Sequence, residues 1–492
     1  MELTHNHSTA VAEQVERIRS AQPAWERLSV RARLRPVRAL RHLLADHYAD
    51  LCEAVRSELG KAPDETLAAE VLPLADACLF LEREAAHVLR PRRVPAAQRP
   101  LWLWGQSDTV HRRPRGVIGV VGTWNYPLML NGVQIAQALT AGNGVLWKPS
   151  EVAPASAAAL YSLFARAGFP DGLLQAMEAT REAGQALTEA AVDHVIFTGS
   201  AAVGRRIAAR LGERLISSTL ELSGCDPMFV LGDADLPMAA RAAWFGFTLN
   251  RGQTCISVRR VFVHRSVYPA FCDLLKSLAS AAAPMKLALA SQARQAERLV
   301  AEALADGGRL LTPPAAPNGD PAVCTPAVVA DARPDSNLCL EASFAPVMAV
   351  LPFDAPEEAL DANGRCPYGL GASVFTRDVG KASALAALLR AGMVTVNDVI
   401  VPMAHPATPF GGVGDSGWGA TQGPEGLLEM TTPQVISVRR GTFRPHYELA
   451  PGGNAAKQGE LVRALLESGH GSTFGRRGRG WRRLLASLWR GA

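Results

Sequence analysis

No run of about 18 uninterrupted apolar residues occurs anywhere in the chain, which excludes a membrane-spanning helix. The first residues, MELTHNHSTAVAEQVERIRS, lack a basic segment leading into an apolar one, so no secretory signal is expected. Lysine is scarce: six of the 51 basic residues, the rest being arginine. The eight cysteines, at 52, 78, 225, 255, 272, 324, 339 and 366, form no C-x-x-C pair and have no histidine cluster at zinc spacing. A metal site is therefore not expected, and unpatterned cysteines in a large chain read as reduced and cytoplasmic. Internal repeats and long low-complexity segments are also missing.

What remains is an ordinary globular composition, 48% hydrophobic and 20% charged over 492 residues. That length is enough for two to four domains at roughly 100–200 residues each. The net charge of +5 is concentrated at one end, because residues 476–492 hold six arginines and no acid. The rest of the chain is close to neutral, so a nucleic-acid partner is not expected.

Residues 1 to about 90 carry Ala, Leu, Arg and Glu at helical spacing. The segment 91–114 reads as an extended, proline-punctuated hairpin. From Gly116 short β-branched runs (GVIGVVGTWNYP, GNGVLWKPSE, AVDHVIFTGS) alternate with helical stretches, the pattern of βαβ units on a parallel sheet. A second alternating set begins after Asp226 and runs to about 430. From Pro451 the Gly-rich GGNAAKQGE reads as a linker.

Cys255 follows Gly252 and Gln253, a sequence suited to a tight loop that presents a thiol. A cysteine taken alone is more often inert and buried. Glu221 closes a β-branched run at a Ser-Gly turn, and Asn125 stands at another strand end before Pro127. Ends of parallel strands are where α/β proteins place ligands. A thiol, a carboxylate and an amide are the parts that acyl chemistry through an oxyanion requires.

The set WNYP (124–127), WKPSE (147–151), FTGS with VG (197–200 and 203–204), LELSG (220–224), GQTC (252–255), ASFAPV (342–347) and PFGGVGDSG (409–417) resembles the aldehyde dehydrogenase superfamily, in that family's order, over about residues 10–440. The resemblance implies an α/β fold with a Rossmann-type coenzyme-binding domain, an α/β catalytic domain and a small β bridging unit that joins subunits. The expected boundaries are 1–222 for coenzyme binding (with the hairpin at 91–114) and 223–432 for catalysis. A bridging strand at 433–447 and a linker with a basic tail at 448–492 would follow. Dimers or tetramers of identical chains are implied.

By the same resemblance, Cys255 would attack the aldehyde to give a thiohemiacetal. The amide of Asn125 and the Cys255 N–H would stabilise its oxyanion, and hydride loss to a nicotinamide would leave a thioester. Glu221 would activate the water that hydrolyses it, giving a free carboxylic acid. Lys148 and Glu151 would hold the adenosine ribose. An acidic residue there favours NAD, with NADP also admissible. Gly199 and Ser200 would face the pyrophosphate, Phe344 would pack beside the nicotinamide ribose, and Trp124 would also bind the coenzyme. Pro409 and Phe410 would begin a loop near the site.

Several residues depart from the family pattern. Ala342 stands where a ribose-binding glutamate is usual, with Glu341 one place early and Ala345 in place of a glycine. Losing that carboxylate would cost about 1–3 kcal/mol of coenzyme binding. Ser223, Gly224 and Cys225 replace a Gly-Gly-Lys, and Arg251, if turned inward, would favour the thiolate. These changes leave a second reading open, a catalytically degenerate aldehyde- or nucleotide-binding homologue.

The apolar Tyr126–Leu130 and the loop with Gly414 resemble the fatty- and aromatic-aldehyde branch, implying a hydrophobic aldehyde (long-chain, isoprenoid or aromatic) as substrate. Trp481, Leu484, Leu485, Leu488 and Trp489 fall on one helical face with arginines opposite. That pattern suits peripheral contact of residues 476–492 with the inner membrane surface, a helix packed on another subunit, or a disordered basic end.

Overall fold

The computed structural model describes residues 2–492 apart from 315–318, 443, 445, 448–454 and 490–492. For 2–8, 455, 457 and 487–489 only the backbone is described. The chain forms two compact units, Met1–Leu89 with Arg113–Thr432, and Arg90–Arg112 with Pro433–Ala492.

The larger unit is built on two sheets whose strands read as continuous apolar runs, as strands covered on both faces must. In the first, six strands lie in the order Gly417–Trp418, Ser217–Leu222, His194–Gly199, Val117–Val121, Gly144–Lys148, Leu174–Ala176. All are parallel except Gly417–Trp418, which pairs antiparallel with Ser217–Leu222. The chain order reverses between Val117–Val121 and His194–Gly199, the switch point where a doubly wound sheet opens a crevice. Asn125, Lys148, Ser200 and Glu221 all sit at the carboxyl ends of its strands or just beyond them.

The second sheet has seven strands, ordered Arg309–Leu310, Ala327–Ala330, Val347–Phe353, Val258–His264, Asp226–Val230, Gly371–Phe375, Met393–Val396. Its site residues enter at the opposite ends: Gly224 precedes Asp226–Val230, Cys255 precedes Val258–His264, and Ala345 precedes Val347–Phe353. The three residues between Leu222 and Asp226 carry the chain from one sheet to the other.

The smaller unit contains a three-stranded sheet, Arg92–Arg93, Gln106–Pro114, Thr431–Arg439, and two helices packed on each other, Ala455–His470 and Phe474–Trp489. The linker expected from Pro451 is helical from Ala455 onward, while 451–454 lie outside the described residues. Gly459, a residue that suggests a loop, is carried inside the helix. Gln458, Leu461, Ala464 and Ser468 recur at helical spacing and are buried, with Leu461 and Ala464 in one apolar cluster with Leu484. Leu488 and Trp489 lie outside the residues whose side chains are described, as does Arg490 altogether. Among the described residues no helix is long and apolar enough to cross a membrane.

Candidate active site

Cys255 is delivered by a loop of unusual backbone. Asn250, Arg251 and Gly252 take left-handed φ values of 49°, 58° and 73° in succession, a conformation that costs non-glycine residues about 1–2 kcal/mol each. The third must be glycine, since a Cβ there would lie 2.4 Å from the Ala345 carbonyl carbon. Buried Arg259 fastens the loop from behind, donating to the carbonyls of Gly252 and Ala345. The Cys255 carbonyl accepts from the Gly224 N–H at 3.0 Å, which ties the thiol loop to the inter-sheet turn.

Glu221 ends its strand 2% exposed. Its Oε2 accepts from the Thr198 hydroxyl at 3.3 Å, which in turn accepts from Gln134 Nε2 at 3.0 Å. Its Oε1 is buried without a partner. Burial raises the carboxyl from the ordinary 4.5 to about 7, against the pull of the neighbouring Cys255 thiol and of the Thr198 hydroxyl. Burial likewise pushes the Cys255 thiol well above its ordinary value, reinforced by the Glu221 and Asp226 carboxylates. Each group thus shifts the other: they form a facing pair, protonated thiol against poised carboxyl.

Asn125 completes the trio. Its Oδ1 accepts from the Thr123 hydroxyl at 2.9 Å, fixing the amide so that Nδ2 faces the thiol loop and donates to the Gln253 carbonyl at 3.1 Å. The amide carries a second Nδ2 hydrogen that this bond does not use. Arg251 does not turn toward the thiol; its guanidinium donates to the Gly60 carbonyl. Buried Arg259, which fastens the loop, has its pKa lowered by burial to about 10.

The residues expected to hold a coenzyme are arranged along the first sheet. Buried Lys148 pairs with Glu151 at 2.9 Å, and Arg181 approaches the other Glu151 oxygen at 3.3 Å. Burial would raise the Glu151 carboxyl, but the hydrogen bond from Lys148 and its further partners outweigh it and hold the group below its usual value. Gly199 ends its strand, and Ser200 caps the helix Ala201–Glu213, leaving that helix's first-turn N–H groups at the switch point. Trp124 and Phe344 meet edge to face, ring centroids 6.1 Å apart. Phe410 packs in one apolar cluster with Cys255, Ile256, Leu370 and Met403, with Phe344 against it, while Pro409 is exposed. Glu341 is engaged elsewhere: it accepts from Arg298 at 2.6 Å and Gln295 at 3.3 Å. Among the described residues no cluster of His, Cys, Asp or Glu is set to hold a metal ion.

Comparison with known proteins agrees with this architecture. The sequence profile of the aldehyde dehydrogenase family matches residues 1–436. The chain is 34% identical over 431 residues to a 4,4'-diapolycopene aldehyde oxidase from Methylomonas sp, covering 86% of this chain and 80% of the relative. It is 34% identical over 445 residues to a betaine aldehyde dehydrogenase from Cereibacter sphaeroides, covering 87% and 89%. Its fold superimposes with TM-score 0.83 on the crystal structure of Mycobacterium tuberculosis aldehyde dehydrogenase complexed with NAD+, at 29% identity and covering 89% and 92% of the two chains. The fold and its relatives define an oxidoreductase of the α/β class. The chain belongs to the aldehyde dehydrogenase family and is an enzyme acting on the aldehyde group.

Proposed function

We propose that the protein oxidises a hydrophobic aldehyde to its carboxylic acid, with Cys255 as nucleophile, Asn125 as oxyanion donor and Glu221 as the base that activates the hydrolytic water. The observation that carries this reading is the facing pair: a buried thiol beside a buried carboxyl that titrates near neutrality and keeps one oxygen unpartnered. A carboxyl held at about 7 takes a proton from water and returns it close to physiological pH. Release of a free acid, rather than transfer of the acyl group to another carrier, follows from that base.

NAD is the coenzyme, and NADP is admissible. The groups present fit it. Lys148 and Glu151 offer a donor and an acceptor to ribose hydroxyls, the capped helix at Ser200 offers N–H groups to phosphate, and Trp124 with Phe344 offers an aromatic wall to the nicotinamide. When bound, the coenzyme accepts the hydride. This chain's residues hold the aldehyde carbon at Cys255, stabilise its oxygen and manage the proton at Glu221. The relatives solved with NAD+ support the same assignment.

Apolar lining supports a lipophilic substrate. Around Cys255 lie Ile256, Leu370, Met403 and Phe410, and Tyr126, Met129 and Leu130 form a second apolar cluster with Ala69. The carotenoid-aldehyde activity printed for the Methylomonas relative is consistent with this choice. The tail supports peripheral contact with an anionic membrane. Phe474, Trp481 and Leu485 share one exposed stripe (Trp481 46% and Leu485 57% exposed), flanked by Arg477 and Arg482, while Leu484 on another side is buried in a cluster with Leu461. Exposed Val435, Ile436 and Val438 on the edge strand Thr431–Arg439 support pairing of subunits into a dimer or tetramer.

The test is NADH formation with NAD and aldehydes from acetaldehyde to long-chain and polyenic ones. A rate that rises with chain length and vanishes in Cys255→Ala is expected. No NADH from any aldehyde by a folded, NAD-binding protein would instead favour a degenerate binding homologue, a reading to which the Glu341–Arg298 pair and Ala342 lend weight. Liposome co-sedimentation unchanged by deletion of 476–492 would remove the membrane role.

A further inference from the structure

Within the larger unit Lys61 and Glu70 form an ion pair 2.7 Å apart, both side chains completely buried. Neither the family motifs nor the proposed chemistry uses them. A buried pair is costly to desolvate, and apolar residues of similar volume would serve stability as well or better. What distinguishes this one is where its remaining hydrogen bonds go. Lys61 Nζ donates to the Asn125 carbonyl at 2.9 Å, and Glu70 Oε2 accepts from the Leu128 N–H at 2.8 Å. The ammonium also lies 4.3 Å from the Tyr126 ring centroid. Both charges therefore end on one four-residue turn, the one that carries the oxyanion amide.

The same turn is joined to the thiol loop by two more links. Asn250 Nδ2 donates to the Asn125 carbonyl at 3.0 Å, and the Tyr126 hydroxyl meets Thr254 Oγ1 at 2.7 Å. Glu70 itself stands in a π-helical turn, Leu67–Val71, between two α-helical segments. Such bulges cost regular hydrogen bonding and recur at functional sites.

We infer that the Lys61–Glu70 pair is a positioning device: it clamps the turn 125–128 at both ends and so holds the Asn125 amide at the place where the aldehyde oxygen becomes an oxyanion. The pair touches neither thiol nor substrate and acts through Asn125. This inference rests on the proposed dehydrogenase reaction.

The experiment is a double-mutant cycle on the full-length protein. Lys61→Met and Glu70→Gln are made alone and in an Asn125→Ala background, with NADH-forming kcat and KM, NAD affinity by fluorescence quenching, and Tm as readouts. Asn125→Ala alone is expected to lower kcat by about 10²–10³-fold, the usual loss for one oxyanion donor. Lys61→Met and Glu70→Gln are each expected to lower kcat about 10- to 100-fold, the effect of misplacing a reacting group by about 1 Å. NAD affinity should stay within about twofold. In the Asn125→Ala background Lys61→Met should add less than about twofold, since a positioning residue has nothing left to position.

A loss that multiplies in that background, or a Lys61→Met enzyme as fast as wild type, overturns the inference. The double replacement Lys61→Met with Glu70→Leu guards against simple misfolding, because it removes both charges together. It should fold and show the same loss of kcat. If it does not fold, the pair is a stability element and the inference falls. A wild type that makes no NADH from any aldehyde defeats the dehydrogenase reading itself. An active wild type with a multiplicative cycle defeats only the clamp.

Discussion

Replacing Glu221 by Gln tests the site and the stability of the fold in one variant. Glutamine keeps the shape and can still accept from Thr198, but it cannot ionise. In the wild type the folded carboxyl titrates at about 7 and the unfolded one near its ordinary 4.5. Between those values the folded state binds the proton and the unfolded state does not. The stabilising contribution of the protonated group is thus complete below pH 4.5, falls as pH rises toward 7, and stays lost above it. Moving a carboxyl from 4.5 to about 7 is worth about 3 kcal/mol. The variant escapes that cost, so its stability relative to wild type should improve by about 3 kcal/mol between pH 4.5 and pH 8.

Function moves the other way. Hydrolysis should lose its ascending limb through pH 7, while the first turnover still releases NADH and leaves a thioester on Cys255. Thiol alkylation adds a third readout. The Glu221 carboxylate raises the Cys255 pKa, so removing it should speed alkylation at pH 8, whereas a base required to activate the resting thiol would predict slower reaction. Paired thermal melts at pH 5 and pH 8, a stopped-flow NADH burst and iodoacetamide kinetics measure all three. A stability difference independent of pH, together with an unchanged ascending limb, would show that Glu221 is not the titrating group and refute the argument.

Gly252→Ala should yield insoluble or inactive protein, because the new Cβ meets the Ala345 backbone at 2.4 Å in a left-handed conformation; a soluble, active variant in expression trials and the NADH assay would contradict the loop geometry. Arg259→Met leaves the Gly252 and Ala345 carbonyls without their donor, at roughly 1–3 kcal/mol each, and should lower Tm by several degrees as well as activity; unchanged thermal melts would show that the loop is held by other means. Glu151→Gln removes the charge beside Lys148 that would repel a 2′-phosphate. It should shift the NAD-to-NADP KM ratio about tenfold toward NADP, and equal KM changes for both coenzymes would place the ribose elsewhere.

The positions of the proposed site residues were legible from local signals: Ser-Gly after the run 217–222 for Glu221, Asn before Pro127 for Asn125, and Gly-Gln ahead of Cys255, which precedes the strand Val258–His264. The loop's use of Gly252 was readable for the same reason. The clamp was not legible. Lys61 in GKAPDE and Glu70 in AAEVLPL look like charges on solvated helices, and nothing local shows that they meet each other and the turn 125–128. The one hint is an acid set among apolar neighbours. Arg259 left a stronger trace, since two arginines inside SVRRVFV must find buried partners. The helix 455–470 was hidden by its glycine-rich start, although Leu461, Ala464 and Leu465 already carried the period.

The departures at 341 and 342 change the balance of the coenzyme site rather than its plan. Glu341 closes an ion pair with Arg298 on the flank of the helix Ala290–Ala305, so its carboxylate is not free to replace the one absent at Ala342. Breaking that half-exposed pair would cost little. On the proposed reading, the nicotinamide end would be held by the Trp124–Phe344 contact and the apolar surround of Cys255, by area and not by hydrogen bonds to hydroxyls. Such a grip tolerates small displacements of the ring. If the coenzyme end is held in that way, the burden of alignment falls on the protein side of the reaction, where Gly252, Arg259 and the buried Lys61–Glu70 pair fasten the thiol loop and the turn 125–128.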